Sequence, residues 1–137
     1  MGLYLCAFID NEEMDGIEIG SYEYFGIFRD YVNILIENCE PGSVCPKLIM
    51  HSDCDGEWST QECKDLLKEL SVIRDVFKKT DPQDAPIEMK KDLFNHYKIK
   101  PNSLYDCFID VDGKNMIERL AQLCLDVIAA ETKILFQ

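Results

Sequence analysis

Residues 59–77 read STQECKDLLKELSVIRDVF and carry the clearest structural signal in this 137-residue chain. Apolar side chains recur every three or four positions from Cys63 to Phe77, which is the spacing of one buried helix face. Ser59 and Glu62 stand three residues apart ahead of this stripe, so the side chain of each can accept from the backbone N–H of the other. The pattern predicts an amphipathic helix that begins after Ser59 and packs one face into a core.

Shorter apolar segments on either side predict the rest of the fold. The continuous apolar run 3–9 is typical of a strand covered on both faces, and Asp15-Gly16 is a turn signal after it. Further strands are expected near residues 17–19, 48–50 and 134–136, and further helices near 21–38 (capped by Ser21), 88–97 and 114–130. This order predicts an α/β fold in one domain, residues 1–137, with a small mixed sheet of about three to four strands covered by about four helices.

Charge is unevenly distributed along the chain. The formal net charge is −12, and residues 1–63 hold 13 acidic against two basic side chains, whereas residues 64–137 hold 13 against 12. Nucleic acid is disfavoured as a partner, because a protein binds it with lysine and arginine that displace phosphate counterions. An acidic half suits a basic protein or a metal cation, and it also keeps a protein soluble.

Seven cysteines are present, and several occupy apolar positions of predicted strands or helix faces. None forms a CxxC pair, so a zinc module is not indicated. The first nine residues lack the basic segment of a signal peptide, and no apolar run is long enough to span a membrane. We therefore expect a cytoplasmic protein that does not bind membranes and whose reduced thiols fill its core.

The segment 51–58, HSDCDGEW, permits three interpretations. Counted from His51, the third, fifth and twelfth positions of a calcium-binding loop fall on Asp53, Asp55 and Glu62. Two features count against calcium: the first position is a nitrogen ligand, and a strand rather than a helix is predicted before the loop. A small cytosolic metal-binding module that uses these three carboxylates is the alternative function.

The second interpretation is catalysis, with His51 paired to Asp53 or Cys54. The spacing is not diagnostic, because neighbouring side chains at a strand end point in different directions. The motif FIDVDG at 108–113 resembles the aspartate motif of haloacid dehalogenase-type phosphatases, but the 24 residues after it are too few for that domain. We therefore predict no enzymatic activity, no catalytic residue and no cofactor.

In the third interpretation the segment shapes a tight turn and takes part in binding. Trp58 then either packs into the core or offers an aromatic contact to a partner. The candidate binding residues of the segment are Asp53, Asp55, Glu57 and Trp58. A second acidic cluster competes with it and consists of Asp10, Glu12, Glu13, Asp15 and Glu18.

Four blocks, in order and spread over nearly the whole chain, resemble the bacterial immunity protein 70 family of polymorphic toxin systems. They are MGLYLC at 1–6, HSDCDGEW at 51–58, FIDVDG at 108–113 and ILFQ at 134–137, and the eight-residue middle block is the specific one. The resemblance implies a non-enzymatic cytosolic inhibitor that binds a cognate toxin domain. It carries over no contact residue, so the acidic candidates above rest on their charge and Trp58 rests on its aromatic ring.

Charge and resemblance together predict a basic toxin domain as the protein partner. Many toxins of such systems are basic nucleases, and an acidic surface accelerates encounter with a basic protein. The sequence leaves the toxin's activity and the oligomeric state open.

Overall fold

The computed structural model of the protein describes residues 2–38, 40–52 and 55–137. Within these ranges the strands are β1 (Gly2–Ile9), β2 (Glu12–Ser21), β3 (Glu57–Trp58) and β4 (Ile134–Phe136). The helices are α1 (Tyr22–Leu35), α2 (Pro46–Ile49), α3 (Thr60–Lys78), α4 (Asp84–Met89), α5 (Lys91–His96) and α6 (Met116–Ala130), and a 3₁₀ turn spans Leu104–Cys107.

The strands form one sheet in the order β2-β1-β4-β3. Each neighbouring pair runs antiparallel, with Leu5 beside Phe136 at the centre and Glu57 beside Leu135 at one edge. The predicted α/β fold with a small helix-covered sheet is therefore confirmed. The sheet is antiparallel throughout rather than mixed, because β2 returns directly from β1 and β4 enters between β1 and β3 in the opposite direction to both.

The first hairpin turns at Asp10 and Asn11, not at Asp15-Gly16. Both turn residues have positive φ values, 50° and 67°, as a tight two-residue hairpin turn requires, and Asp and Asn tolerate this conformation better than most residues. Asp15 and Gly16 lie inside β2, opposite Ala7 and Cys6. The glycine has a packing role there, since a Cβ on Gly16 would lie 2.1 Å from the hydroxyl of Tyr4.

Both predicted helix caps are present. The Ser21 side chain accepts from the backbone N–H of Tyr24 at the start of α1. At the start of α3, Ser59 and Glu62 form the reciprocal capping box, each accepting from the other's backbone at 3.1 Å. These caps satisfy N–H groups that have no partner within the helix, and so they fix where each helix begins.

The three long helices α1, α3 and α6 bury their apolar faces against one side of the sheet. The sheet residues in this core are Leu3, Leu5, Ala7, Ile17, Ile19, Trp58, Ile134 and Phe136. Aromatic rings fill its centre, where the ring of Phe28 lies 5.1 Å from that of Phe108 and 5.8 Å from that of Phe77 in edge-to-face contact. Edge-to-face pairs of this kind add to the stabilisation from burial itself.

Residues 48–50, predicted as a strand, instead lie in and just after the short helix α2. Pro46 occupies the first position of this helix, where a missing N–H does no harm. The buried carboxylate of Glu69 on α3 accepts from the backbone N–H groups of Lys47 and Leu48 at 3.0 Å each. The strand prediction was wrong because three apolar residues are compatible with either structure, and a cap from a distant helix decides between them.

Five cysteines lie in the described part of the chain, and all are buried and unpaired: Cys6, Cys45, Cys63, Cys107 and Cys124. They behave as small apolar residues, as predicted for these positions. Cys39 and Cys54 lie outside the described residues. None of the helices described is both long enough and apolar enough to cross a membrane.

Candidate functional site

The segment 51–58 contains β3, which forms one edge of the sheet. Trp58 is fully buried beside Ile134, and its indole N–H donates to the carbonyl of Lys47 at 3.0 Å. The ring therefore has no surface to present to a partner. Trp58, a candidate binding residue by sequence, can contribute to binding only by holding this segment in place.

His51 folds onto the same apolar wall. Its ring stacks on Phe136 with 4.3 Å between centroids and lies 5.0 Å from Trp58. Its Nδ1 lies 2.7 Å from the carbonyl oxygen of Ser52, and its Nε2 lies 2.9 Å from that of Glu57. Both ring nitrogens therefore face main-chain carbonyl groups of the same segment, and a carbonyl oxygen can only accept a hydrogen bond. The geometry gives His51 a structural role.

The two described acidic side chains of this segment remain at the surface. Asp55 and Glu57 are exposed, whereas Asp53 and Cys54 lie outside the described residues. The carboxylate of Glu57 is 3.0 Å from the ammonium of Lys133, and both side chains are about half exposed, at 48% and 50%. Such a pair is worth little in water, so it leaves Glu57 able to exchange Lys133 for a cation on a partner.

The second acidic cluster lies on the β1–β2 hairpin, at the other edge of the sheet. Asp10, Glu12, Glu13 and Glu18 are exposed. Asp15 is different, because it lies opposite the buried Ala7 on the helix side and approaches Arg119 of α6 to 3.7 Å. Asp15 therefore belongs to the contact between hairpin and helix.

The two clusters are separated by the width of the sheet, about 14 Å for three strand spacings. Cross-strand neighbours share a face, and one row of neighbours runs from Gly16 through Cys6 and Leu135 to Glu57. Glu13 and Glu18 lie opposite Phe8 and Tyr4, which alternate with Cys6 along β1 and so point the same way. Glu13, Glu18 and Glu57 therefore stand on one face of the sheet, the face turned away from the helices, which we call the outer face.

Three half-buried apolar side chains lie between these carboxylates: Tyr4 and Phe8 of β1 and Leu135 of β4. They are not part of the continuous core, whose sheet residues point the other way. The prediction that residues 3–9 are covered on both faces is therefore met only in part on the outer face, where Cys6 is fully buried but Tyr4 and Phe8 are half-buried. Sequence reasoning missed this group because the run is apolar at every position and Leu135 joins it only through the sheet pairing.

Tyr4 is held in a fixed orientation on the outer face. Its ring lies over Gly16, and its hydroxyl donates to the carboxylate of Glu13 at 2.7 Å. Burial of the hydroxyl, reinforced by this hydrogen bond and by the negative charge of Glu13, raises the pKa of Tyr4 to about 12. The phenol therefore stays protonated and keeps donating over the whole physiological pH range.

Some of the acidic excess serves the fold instead. Glu37 is buried, and its carboxylate accepts from the hydroxyl of Ser43 and from the backbone N–H groups of Val44 and Cys45 at 2.7 to 2.9 Å. Burial alone would raise the pKa of Glu37, but these hydrogen bonds outweigh it and hold that pKa below its usual value. The charge of Glu37 thus holds residues 43–45 in place ahead of α2.

The sequence model of the family described as Immunity protein 70 matches residues 3–136. The chain belongs to this family. Comparison with curated proteins and with solved structures gave no match. Membership in the immunity protein family implies neutralisation of a toxin in a polymorphic toxin system, and such proteins are typically not enzymes. The predicted family and the predicted absence of enzymatic activity are both confirmed by this match.

The immunity protein has little to offer a metal ion in residues 2–38, 40–52 and 55–137. No group of three or more His, Cys, Asp or Glu side chains is assembled there. Of the three carboxylates in the calcium alternative, Asp53 lies outside these ranges and Glu62 is engaged in the capping box of α3. Only Asp55 is described and exposed, so the described residues give the metal-binding alternative no support.

The second motif of the immunity protein, FIDVDG at 108–113, is a structural turn. Asp110 is 1% exposed, and its carboxylate accepts from the backbone N–H groups of Asp112 and Lys114 at 2.9 and 3.0 Å. The same carboxylate lies 3.3 Å from the guanidinium of Arg119. These contacts are all internal, so this aspartate organises the entry into α6.

Proposed function

We propose that this immunity protein neutralises a cognate toxin domain by binding it through an acidic surface, in the cytoplasm of the cell that makes both. The family supplies the kind of partner, a toxin. One observation supports the use of charge: exposed acidic side chains lie at both edges of the same sheet, Asp55 and Glu57 at one edge and the hairpin cluster at the other. The whole chain, 1–137, is proposed to act as one binding domain.

This arrangement favours a basic partner. Residues 1–63 carry 13 acidic and two basic side chains, whereas residues 64–137 are nearly balanced. A concentrated negative field steers a basic protein into contact and raises the association rate, and added salt weakens this effect. The same field opposes nucleic acid as a direct ligand. The protein is therefore proposed to cover the basic surface with which the toxin binds its own anionic substrate.

The proposal is tested by co-expression with the toxin domain encoded immediately upstream. We expect the chain to restore growth of cells that express this toxin, and to co-purify with it in a stable complex. A toxin that still kills while the chain is well expressed, with no complex recovered, would show that the proposed function is wrong.

The role of charge is tested separately by reversal. We expect Asp55→Lys and Glu57→Lys to slow association with the toxin about tenfold, with a smaller effect on dissociation, because long-range attraction acts mainly on encounter. Asp75→Lys on α3 is the matched control, since Asp75 is exposed and changes the net charge equally but lies on the helix layer. Equal association rates for all three variants, measured by surface plasmon resonance, would remove the 55–57 segment from the interface.

A further inference from the structure

We infer that the toxin docks flat on the outer face of the sheet, with Tyr4, Phe8 and Leu135 at the centre of the interface and Glu13, Glu18 and Glu57 around them. This inference rests on the proposed function and names the surface that carries it out. The partner is a protein whose contact patch is apolar at its centre and carries lysine or arginine at its margin.

The composition of the outer face favours this use. Half-buried Tyr4, Phe8 and Leu135 expose apolar surface that no core residue packs against among those described. Protein interfaces have apolar, aromatic-rich centres from which water is excluded, surrounded by a polar rim. The rim here carries Glu13, Glu18 and Glu57, with Lys133 paired to Glu57, so acidic residues predominate and the outer face matches a basic partner in both its apolar and its charged parts.

The edges of the sheet are poorer docking sites than its face. A partner strand that extended the sheet beyond β2 would need free backbone groups on that edge. Arg119 already donates to the carbonyl of Gly16 at 2.7 Å, and the backbone N–H of Val111 donates to the carbonyl of Glu18 at 3.1 Å. At the other edge β3 is only two residues long. Strand addition is therefore disfavoured at both edges.

The area of the outer face indicates that the interface also includes the residues around it. Eight residues of β1 and three strand spacings enclose roughly 370 Å², whereas a standard interface takes roughly 800 Å² from each partner. A toxin centred on Tyr4, Phe8 and Leu135 must therefore extend past the sheet on both sides. It would then lie over the carboxylates at both edges, including the exposed hairpin residues Asp10 and Glu12.

Tyr4 is prepared for binding before the partner arrives. The hydrogen bond to Glu13 and the close fit over Gly16 restrict the ring to one orientation. A side chain ordered in the free protein loses little further entropy in the complex, which favours affinity.

A second copy of this chain is the competing occupant of an apolar sheet face. Face-to-face pairing of two copies would bring the acidic rims of both together, between two molecules of net charge −12. Like charges placed against one another at an interface oppose association. The outer face is therefore assigned to the toxin and not to self-association.

The test uses the purified complex of the full chain with its toxin domain, once the co-expression experiment has produced one. We expect Phe8→Ala to raise the dissociation constant at least 30-fold by calorimetry, as for other central aromatic contacts. Leu125→Ala is the matched control, because Leu125 is a half-exposed apolar residue on α6 of the helix layer. We expect that variant to bind within threefold of the wild type.

A measurement on the unaltered protein covers the case in which Phe8→Ala fails to fold. Hydroxyl-radical footprinting of the wild-type chain should show lower oxidation of Tyr4 and Phe8 in the complex than in the free protein. An intact complex with unchanged footprints, or one in which a folded Phe8→Ala binds within threefold, overturns the docking surface and leaves the proposed function standing. Absence of any complex would instead contradict the proposed function.

The self-association alternative has its own outcome. Light scattering on the isolated chain at about 100 µM should give the mass of a monomer. A dimer that Phe8→Glu dissociates would assign the outer face to a second copy and overturn the inference.

Discussion

The two faces of the sheet are built from the same strands and have opposite chemistry. On the helix side, Leu3, Leu5 and Ala7 of β1 are completely buried in the core. On the outer face, Tyr4 and Phe8 of the same strand stay half-buried and are flanked by acidic residues. The difference indicates a division of tasks, in which burial on the helix side supplies most of the hydrophobic stabilisation and the outer face keeps part of its apolar surface exposed.

The acidic residues divide in the same way. Asp110 and Glu37 lie on the helix side of the molecule, buried and fully hydrogen-bonded. Glu18 and Glu57 lie on the outer face and are exposed. The negative charge of the chain thus comes from two kinds of carboxylate: those that stabilise loops and those that remain available to a partner. Substitution of single residues can distinguish the effect of each kind on stability and on binding.

The largest effect is expected from a matched pair of leucines. Leu5→Ala should lower the free energy of unfolding by about 3 kcal/mol, because it leaves a cavity in a close-packed core. Leu135→Ala on the outer face should cost less than about 1 kcal/mol, since water can fill the space. Chemical denaturation of both variants measures this contrast, and equal losses would show that the outer face belongs to the core.

A smaller effect is expected from a matched pair of acidic residues. Asp110→Ala should destabilise the protein by about 2 kcal/mol, because it removes the partner of Arg119 and of two backbone N–H groups. Glu18→Ala should change stability by less than about 0.5 kcal/mol and should slow toxin association instead. Thermal unfolding and association kinetics together test this pair. A large stability loss in Glu18→Ala would contradict the division between the two faces.

The third prediction concerns the pH dependence of stability that arises from Lys90, which lies next to β2. The ammonium of Lys90 is buried, donates to the carbonyls of Ile19 and Ile109, and lies 3.8 Å from the ring centroid of Tyr24. Burial lowers its pKa to about 8, although the nearby charge of Asp110 opposes the shift. Between pH 8 and the unfolded-state pKa near 10.5, the unfolded chain binds more protons at this residue, so its contribution to stability rises with pH.

We therefore expect the stability difference between wild type and Lys90→Met to move in favour of the wild type by up to about 1 kcal/mol per pH unit from pH 8 to 10. Urea denaturation at each pH measures it. Other groups that titrate in this range, such as the tyrosines and cysteines, are common to both proteins and cancel in the difference. A difference that is independent of pH would show that Lys90 is not desolvated in the folded protein.

Much of the helical structure was predictable because its signals are local. Ser21 and the Ser59–Glu62 pair cap the helices that they were predicted to cap. One failure has a distant cause and the other a local one. Glu69 caps residues 47 and 48 from another helix and turns an apolar run into α2, and Asp10-Asn11 takes the turn that the Asp15-Gly16 dipeptide was expected to form.

The candidate site was predictable only in part. Sequence reasoning found the exposed carboxylates Asp55, Glu57, Glu13 and Glu18, but it placed Trp58 among the contacts although the ring is buried. The sequence blocks that carried the family resemblance contribute both to folding, through His51, Trp58 and Asp110, and to the outer face, through Tyr4, Glu57 and Leu135. The outer face has no contiguous sequence motif. Its apolar residues lie on β1 and β4, which are more than a hundred residues apart in sequence and become neighbours only through strand pairing.

The position of β4 has a consequence for the order in which the protein is built. Leu5 pairs with Phe136, 131 residues later, and β3 contacts the sheet only through β4. During synthesis the β1–β2 hairpin and α1 emerge early. Glu57 can pair with Leu135 of β4 only after α3 and α6 have been synthesised. Long-range pairings of this kind carry a large loop-closure cost and form late in folding. We therefore expect the outer face, which is proposed to bind the toxin, to be the last part of the protein to form. A nascent chain should then be unable to neutralise the toxin until β4 has paired with β1 and β3.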